Sequence, residues 1–213
     1  MNGNEWEKIA KSFDATRQQA WKECIEFINS MHGTGIDIGC GNGRHLKEME
    51  KRGDAIGVDI AFNMLLMAKK KVRKATLIQA NALHLPFHSN TFDYAIFIAA
   101  LHNIKGRKNR IKALKEMKRV LKKGSLAMVS VWSKWQDRWR RRFMLQALYK
   151  WRELGDIYVP WKRGEHAMRF YHLYSMRELK KDVKKAGFEI VKAWSVKKVS
   201  KKYPDNHFVI VRA

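Results

Sequence analysis

The chain has 213 residues, 46% of them hydrophobic, and a formal net charge of +24. This length fits one α/β domain with a self-sufficient core, and the hydrophobic content excludes a disordered chain. The two cysteines, Cys24 and Cys40, form no C-x-x-C pair, and no stretch approaches the ~18 apolar residues of a membrane span, so we expect a cytoplasmic protein without a disulfide framework, a metal site or a membrane partner.

The positive charge is spread unevenly along the chain. Residues 1–66 hold 8 Lys and Arg against 10 Asp and Glu, whereas residues 67–213 hold 36 against 10. Clustered cations neutralise phosphates, so a nucleic-acid partner is one interpretation. A lysine-rich solubilising surface is the other. The charge alone favours neither.

Hydrophobic periodicity predicts helices and strands that alternate along the chain. Helical spacing of apolar residues covers 5–31, and the apolar run 92–100 is typical of a central parallel strand covered on both faces. Right-handed crossovers between such elements give a doubly wound sheet. The predicted strands are 34–38, 55–59, 76–78, 92–100, 126–132, 188–196 and 206–212, and the later predicted helices are 42–51, one around Met64, 106–121 and 175–186.

The expected fold class is therefore α/β, a seven-stranded doubly wound sheet with helices on both faces and an antiparallel last strand. We predict one domain over residues 1–213. Within it, residues 133–174 form an irregular aromatic and basic insertion near the substrate side, and 133–163 shows no strand alternation.

A glycine-rich turn follows the first buried strand. Gly39, Gly41 and Gly43 alternate in the form D-x-G-x-G-x-G, which resembles the S-adenosylmethionine loop of Rossmann-like methyltransferases. Asp59 ends the next strand, a position that suits an acid binding the two hydroxyls of a ribose. The sequence thus predicts a nucleotide-like ligand at this loop.

Asn81 follows the third strand, where its amide would face the edge of an adenine. Ligands of open α/β sheets bind at this edge of the sheet. Each residue also has a structural alternative, since Asp59 suits capping of the next helix and Asn81 an Asx turn. A nicotinamide cofactor is disfavoured because the G-x-G-x-x-G spacing and a Tyr-x-x-x-Lys pair are absent.

The residues after the central strand bear on the methyl acceptor. Residues 99–103 read Ala-Ala-Leu-His-Asn, and the chain has neither an Asn/Asp-Pro-Pro-Tyr element for base amines nor a Pro-Cys nucleophile for C5 of cytosine. The acceptor is therefore expected to be nucleophilic already, or to need one weak base. His102 is the candidate base because histidine titrates near neutrality; a structural histidine is the alternative.

Trp and Arg residues interleave from 132 to 143. Such mixtures stack bases and grip phosphates, while an amphipathic helix with its aromatic side chains in the core is a compatible alternative. The predicted helix 106–121 also carries a basic face that is either solvated or in contact with a nucleic acid. The predicted RNA-binding residues are Arg110, Arg138, Arg140, Arg141 and Arg142.

Motifs along nearly the whole chain resemble one family, the methyltransferases that esterify 5-carboxymethyluridine at the tRNA wobble position. The most specific are late: Ile-Tyr-Val-Pro-Trp at 157–161 is similar to the family's V-F-V-P-W element, and Arg-Phe-Tyr-His-Leu-Tyr at 169–174 to its R-Y-Y-H-L-Y element. Residues 205–209 are similar to its closing D-N-W-x-V strand. Further matches are 7–10, 13–17, Trp21, 37–43, 85–87, 91–93 and 99–102.

The resemblance implies a class I, S-adenosylmethionine-dependent methyltransferase that acts on tRNA. It also implies a separate small zinc-binding activator subunit that masks an apolar edge of the sheet. The implied cofactor-binding residues are Asp37, Gly39, Cys40, Gly41, Asp59, Asn81, Ala82 and Ala99. The implied catalytic residues around the wobble uridine are Arg17, His102, Arg169, Tyr171 and Asp205.

The chain departs from the family pattern at several positions. Asn103 stands in place of a second histidine, residues 60–61 in place of a polar pair, Asn81 in place of an aspartate and His207 in place of a tryptophan, while 133–152 has no clear counterpart. These differences bear on the exact form of the substrate more than on the reaction class.

Two other functions share the same loop. One is a small-molecule methyltransferase of the quinone or steroid type, and the other is a non-catalytic RNA-binding protein on a methyltransferase scaffold. The chemistry of carboxylate methylation is consistent, because a carboxymethyl group is ionised at pH 7 and needs no strong base. Alignment of nucleophile, methyl group and sulfur then supplies ~7–11 kcal/mol.

Overall fold

The structure is a computed structural model that describes residues 4–139, 143–144 and 153–213. Its strands are β1 (Gly35–Ile38), β2 (Ala55–Asp59), β3 (Thr76–Gln79), β4 (Phe92–Ile98), β5 (Leu121–Trp132), β6 (Asp156–Trp161), β7 (Ala167–His172), β8 (Glu189–Val196) and β9 (Asn206–Arg212). Its helices are α1 (Asn4–Asp14), α2 (Lys22–Asn29), α3 (Leu46–Met49), α4 (Phe62–Lys69), α5 (Arg107–Val120) and α6 (Met176–Lys185), with a 3-10 turn at Leu101–Asn103. Among these described helices, none is both long enough and apolar enough to cross a membrane.

Seven strands form the main sheet, in the order β3-β2-β1-β4-β5-β9-β8. β1 to β5 run parallel, and β9 lies antiparallel between β5 and β8. Parallel strands need crossover connections and are covered on both faces, which matches the apolar run that became β4. The sheet confirms the predicted α/β fold class with its antiparallel last strand.

Apolar side chains fill both faces of this sheet. On one face α5 and α6 pack Leu114 and Val183 into a core cluster with β4 and β5. On the other face α2 and α3 contribute Ile28 and Met49 to a second cluster. The core therefore fixes the carboxyl ends of the parallel strands at one edge, where a ligand site is expected.

The helical region predicted over 5–31 is confirmed for α1 and α2 and is wrong for residues 15–21, which separate the two helices. The two helices bury their apolar faces against different partners. Ile9 of α1 packs with Met64 of α4, whereas Phe27 of α2 packs on the main sheet. The chain has to turn between them, and residues 15–21 become a linker above the sheet edge.

The helix predicted at 42–51 is shortened to α3. Gly41 and Gly43 have φ values of +53° and +72°, which lie in the left-handed region rather than that of a right-handed helix. Helical geometry therefore begins only after the glycine loop.

β6 and β7 pair as a separate antiparallel hairpin. The expectation of no strand within 133–163 is therefore wrong for β6, in which Ile157, Val159 and Trp161 are buried in alternation. Pro160 is accommodated because β6 has one pairing partner in the described sheets. The hairpin contacts α1 and the 3-10 turn, so it closes over the sheet edge.

Candidate active site

A cavity of about 880 Å³ opens at the carboxyl ends of the parallel strands. The loop after β1 and the ends of β2 and β4 form one side of it, and α1, the linker 15–21 and the β6–β7 hairpin form the other. Six predicted cofactor residues line it: Gly39, Cys40, Gly41, Asp59, Ala82 and Ala99. The five predicted catalytic residues also line it: Arg17, His102, Arg169, Tyr171 and Asp205.

The glycine loop presents bare backbone to this cavity. Gly39 and Gly41 have φ values of +70° and +53°, which side chains disfavour. A Cβ on Gly39 would lie 2.5 Å from the Cβ of Ala100, whereas a Cβ on Gly41 would meet no atom within 4 Å. The loop therefore leaves space for a ligand at Gly41 and rejects a side chain at Gly39.

Asp59 faces the cavity and also holds the loop. Its Oδ2 accepts the Gly41 N–H at 2.8 Å, and its Oδ1 accepts the Ala61 N–H at 2.9 Å. Burial raises the pKa of this carboxyl although these amide donors oppose the rise. A carboxylate offers about four acceptor positions, so Asp59 can brace the loop and still accept two ribose hydroxyls.

Asp37 lies buried in β1 and is not among the residues that line the cavity. Burial and the neighbouring Asp59 raise the pKa of Asp37 to about 8, against a lowering by Arg44. Its Oδ2 has no hydrogen-bond partner among the described residues. A cation near these carboxyl groups would favour their ionised forms and oppose the rise in pKa. The site therefore fits S-adenosylmethionine, which carries an ammonium and a sulfonium.

Asn42 joins the glycine loop to the linker. Its Nδ2 donates to Oδ1 of Asp14 at 2.8 Å and to the Arg17 carbonyl at 2.7 Å. Asn42 is itself buried and lines the cavity. The cofactor loop is thus connected directly to the segment that carries a predicted substrate residue.

Ala99 follows β4 with a strained backbone, since its φ is +53°. Its N–H donates to both the carbonyl and Oγ of Ser130, at 3.0 Å each. Non-glycine residues in this region persist where their surroundings over-determine them, and they cluster at functional sites. The residue that follows, Ala100, lies beside Gly39.

The cofactor role predicted for Asn81 is not supported. Its Oδ1 accepts the Leu83 N–H at 3.0 Å, which makes an Asx turn, and its side chain is not among those that line the cavity. The neighbours Ala80 and Ala82 line the cavity instead, together with Ile60. The structural alternative therefore describes Asn81, because its amide is engaged in the turn.

Arg169 and Tyr171 make the polar part of the hairpin wall. Arg169 Nη1 donates to the Tyr171 hydroxyl at 2.7 Å, and its guanidinium carbon lies 4.6 Å from the Trp161 ring centroid. Arg169 is only 6% exposed, and within the described ranges its Nε has no partner and its guanidinium forms no ion pair. Burial, together with Arg17, lowers its pKa although Tyr171 opposes this, so this cation lacks an anion among the described side chains.

His102 is a weaker base than the predicted role requires, and its Nδ1 lone pair is already engaged. Its Nδ1 accepts the Trp132 N–H at 2.9 Å, which leaves the ring proton on Nε2. Burial, with His172 and Arg169 nearby, lowers the pKa of His102 to about 3. The structure therefore does not support the predicted weak-base role; it favours His102 as a neutral hydrogen-bond donor in the cavity wall.

Trp132 is a cavity residue that sequence reasoning assigned only to the interleaved Trp and Arg segment. Its ring stacks on Tyr171, with centroids 4.6 Å apart and planes 4° apart. His102 lies against both rings, at 5.5 and 5.3 Å. The signal was present, since Trp132 ends a strand at the ligand-binding edge, but its stacking partner is remote in sequence.

Asp205 lines the cavity with its carboxylate already engaged. Oδ2 accepts the N–H groups of residues 198–200 at 2.7 to 2.9 Å, and Oδ1 accepts the Ser200 hydroxyl at 2.6 Å. These hydrogen bonds outweigh burial, which by itself raises the carboxyl pKa, and hold the pKa below its usual value. The structure thus gives Asp205 the task of shaping the loop 198–200.

The predicted RNA-binding set divides into three cases. Arg138 lines the cavity mouth with its guanidinium carbon 4.6 Å from the Trp139 ring centroid. Arg110 is fully buried, pairs with Glu153 and donates to the Ile104 carbonyl, so its predicted contact with RNA is wrong. Arg140, Arg141 and Arg142 lie outside the described residues.

Arg110 belongs to a buried ionic network under the hairpin. His172 contacts Asp156 through Nδ1 and Glu178 through Nε2, at 2.7 Å each, so both ring nitrogens donate and the imidazole is protonated. Burial opposes this, but the two carboxylates prevail and raise the pKa of His172. Among the described residues, four cations thus balance four carboxylates: Arg107, Arg110, Lys134 and His172 against Glu153, Asp156, Glu178 and Asp182.

Residues 36–129 match the family model described as "Methyltransferase domain". The tRNA (carboxymethyluridine(34)-5-O)-methyltransferase of Schizosaccharomyces pombe is 30% identical over an alignment of 209 residues, and the match covers 87% of this chain and 87% of that one.

Among solved structures, a SAM-dependent methyltransferase from Methanosarcina mazei superposes with a TM-score of 0.76 and 23% identity, covering 91% of this chain and 98% of that one. A chain from the complex between the Haloferax volcanii Trm112 methyltransferase activator and a methyltransferase gives a TM-score of 0.70 at 14% identity, covering 99% and 95%. At these identities, the two structures share the fold.

Proposed function

The chain belongs to the family of tRNA (carboxymethyluridine(34)-5-O)-methyltransferases, and from this premise we propose that it methylates the carboxylate of 5-carboxymethyluridine at the wobble position of tRNA. The observation that carries the proposal is the buried Arg169 guanidinium, which has no anionic partner within the described residues. An unpaired buried cation is costly unless an anion reaches it. A carboxylate acceptor supplies that anion.

Bound S-adenosylmethionine supplies the electrophilic methyl group, and the residues of this chain place the acceptor beside it. Gly39, Gly41 and Asp59 hold the cofactor side, as their backbone openings and free acceptor positions allow. Arg169 and Arg17 orient the acceptor carboxylate. Positioning of this kind supplies ~7–11 kcal/mol of the barrier reduction.

The acceptor needs no proton removed, because a carboxyl group is ionised at pH 7. A His102 whose pKa is about 3 is consistent with this chemistry, since it does not act as a base. Its Nε2–H instead donates to an oxygen in the cavity. Arg169 already shares one nitrogen with Tyr171, which limits how strongly it binds the carboxylate and keeps the nucleophile reactive.

The stacked pair of Trp132 and Tyr171 supports an aromatic acceptor ring. Both residues line the cavity, and aromatic surfaces of this kind stack the unpaired bases that RNA-binding proteins recognise. The same aromatic walls reduce the water around the reacting atoms.

The experiment for this proposal is nucleoside mass spectrometry of carboxymethyluridine-containing tRNA after incubation with the protein and S-adenosylmethionine. The expected result is a mass gain of one methyl group on the wobble nucleoside. Asp59→Ala is expected to weaken cofactor binding, measured by calorimetry, more than it changes any other property. Methylation of small quinones or steroids with no change in tRNA would instead establish a small-molecule enzyme.

An activator subunit is part of the proposal. β3 is an edge strand that pairs only with β2 in the described sheet, and edge strands invite pairing by another chain. Phe62 and Leu66 of the neighbouring α4 are 52% and 43% exposed. An activator that covers β3 and these side chains should raise the melting temperature on mixing; Leu66→Glu should remove that rise.

A further inference from the structure

A second concavity, of about 520 Å³, lies beside the cavity. We call it the basic groove. Its charged residues come from two segments, residues 44–51 around α3 and residues 70–73 directly after α4. They are Arg44, Lys47, Glu50, Lys51, Lys70, Lys71 and Arg73.

The carboxylate of Glu50, which lines the basic groove, is engaged by backbone amides and forms no ion pair with the groove cations among the described residues. Glu50 accepts the backbone N–H groups of Arg73, Lys74 and Ala75 at 2.9 to 3.2 Å, and these bonds lower its pKa against the opposing effect of burial. Its charge is thus used to hold the turn 73–75. The side chains that face the groove remain strongly cationic.

Only two of the six cations have acidic partners among the described residues. Lys71 pairs with Asp14, and Lys51 pairs with Glu48 at 2.6 Å. The other four form no ion pair in the part of the chain that the structure describes: Arg44, Lys47, Lys70 and Arg73. Like charges gathered in one concavity create a positive potential there, so the groove attracts anions.

The basic groove is continuous with the catalytic cavity. Gln18 and Arg44 line both. Arg44 stacks over Trp21, with its guanidinium carbon 4.9 Å from the ring centroid, and burial lowers its pKa to about 10. A nucleic acid whose base occupies the cavity would therefore meet an anion-attracting surface that leads away from the cavity.

We infer that the basic groove binds the sugar-phosphate backbone of tRNA next to the nucleotide that enters the cavity. This inference rests on the proposed function, because the base in the cavity fixes where the neighbouring phosphates lie. Phosphodiesters fit the groove since each lysine or arginine that neutralises one releases counterions. An acidic protein is the other class of polyanion, but the shared lining residues favour the polymer whose base enters the cavity.

The test removes three exposed groove cations together: Lys47→Gln, Lys70→Gln and Arg73→Gln. The matched control is Lys180→Gln, Lys181→Gln and Lys184→Gln, three exposed lysines of α6 near the opposite edge of the sheet. Affinity for unmodified tRNA is measured from 50 to 300 mM salt. The groove variant should bind about tenfold more weakly, and its slope of log affinity against log salt should fall by about 2, since each phosphate contact contributes roughly 0.7 to 0.9.

The control variant should change affinity by less than twofold. A groove variant that matches the control or the wild type overturns the inference, even where it loses binding to an activator protein. Calorimetry with S-adenosylmethionine and thermal melting must be unchanged in both variants, which separates RNA contact from misfolding. Failure of the wild type to methylate tRNA would refute the proposed function, whereas an unchanged tRNA KM in an active groove variant would refute the groove alone.

Discussion

The two walls of the cavity are built in different ways. The cofactor wall is largely backbone: the left-handed Gly39 and Gly41, with Asp59 bonded to the loop. The hairpin wall is made of side chains, and Arg169 and Tyr171 are held in place by a hairpin that rests on the buried ionic network.

This difference predicts different sensitivities. A backbone wall fails when a side chain is added, because the left-handed geometry and the contact with Ala100 leave no room for it. A wall held by buried charges fails when one charge is removed or neutralised, because its partner is left without compensation. Variants of each wall should therefore separate cofactor binding from methyl transfer.

The largest effect is expected for Arg169→Ala. Loss of the buried cation that we propose orients the acceptor carboxylate should lower kcat/KM for carboxymethyl-bearing tRNA about a thousandfold, the scale of losing a charged contact in a water-poor site. Calorimetry should show unchanged S-adenosylmethionine affinity. Arg169→Lys, which keeps the positive charge but loses the paired N–H donors of the guanidinium, should recover part of the activity. Loss of cofactor binding in Arg169→Ala would contradict the division between the walls.

The next effect concerns His172 and the stability of the hairpin wall. Because its folded-state pKa lies above the unfolded value of about 6.5, its contribution is complete below that pH and is lost as pH rises through the folded-state pKa. His172→Gln should cost about 3 kcal/mol of unfolding free energy at pH 6 and less at pH 9, as measured by urea denaturation.

His88→Gln is the matched control, since His88 is exposed. It should leave both the free energy of unfolding and its pH dependence unchanged. Equal pH dependence in the wild type and in His172→Gln would show that the network does not titrate through this histidine.

A smaller effect is expected for Gly39→Ala in the cofactor wall. Backbone strain and the contact with Ala100 should weaken S-adenosylmethionine binding about 30-fold, equivalent to roughly 2 kcal/mol. Gly124→Ala is the control, because Gly124 also has a positive φ, +82°, but an added Cβ there would meet no described atom within 4 Å. If Gly39→Ala and Gly124→Ala lose equal S-adenosylmethionine affinity, the loss comes from a general effect of strained backbone and not from the glycine loop.

The smallest effect is expected for His102→Asn. An asparagine still accepts the Trp132 N–H, so kcat should fall only about tenfold, within the range of a lost neutral hydrogen bond. Because the pKa of His102 is about 3, the wild-type pH–rate profile should show no inflection from this histidine between about pH 5.5 and 7.5. An inflection near 6.5 that disappears in His102→Asn would restore the base role.

The sequence predicts the cofactor wall better than the hairpin wall for a physical reason. Gly39, Gly41 and Asp59 act through local geometry. The carboxyl ends of parallel strands lie at one edge of the sheet, so a sequence that shows the strands also shows which residues meet there. The state of His102 depends instead on burial by Trp132 and Tyr171, which only the folded chain brings together.

Two further errors have the same origin. Arg110 lies in a helix rich in Lys and Arg. Its burial depends on an ion pair with Glu153, which is distant in the sequence, so the hydrophobic periodicity of the helix does not predict it. In β6 the alternation of Ile157, Val159 and Trp161 is one of burial. It does not show in the residue types, because the intervening residues are Tyr158 and Pro160 rather than charged or strongly polar ones. Pro160 obscured it, although a strand with one partner accepts proline.

Asn42 links the cofactor side of the cavity to the substrate side through hydrogen bonds. It sits within the glycine loop and donates to Asp14 and to the Arg17 carbonyl, so any shift of the loop on cofactor binding would be passed to the segment that carries Arg17. Thermodynamic linkage then makes the influence mutual: whatever cofactor does to tRNA affinity, tRNA does to cofactor affinity by the same factor. If the two affinities are coupled, the Asn42 side chain is the direct contact through which the glycine loop and the linker 15–21 would influence each other.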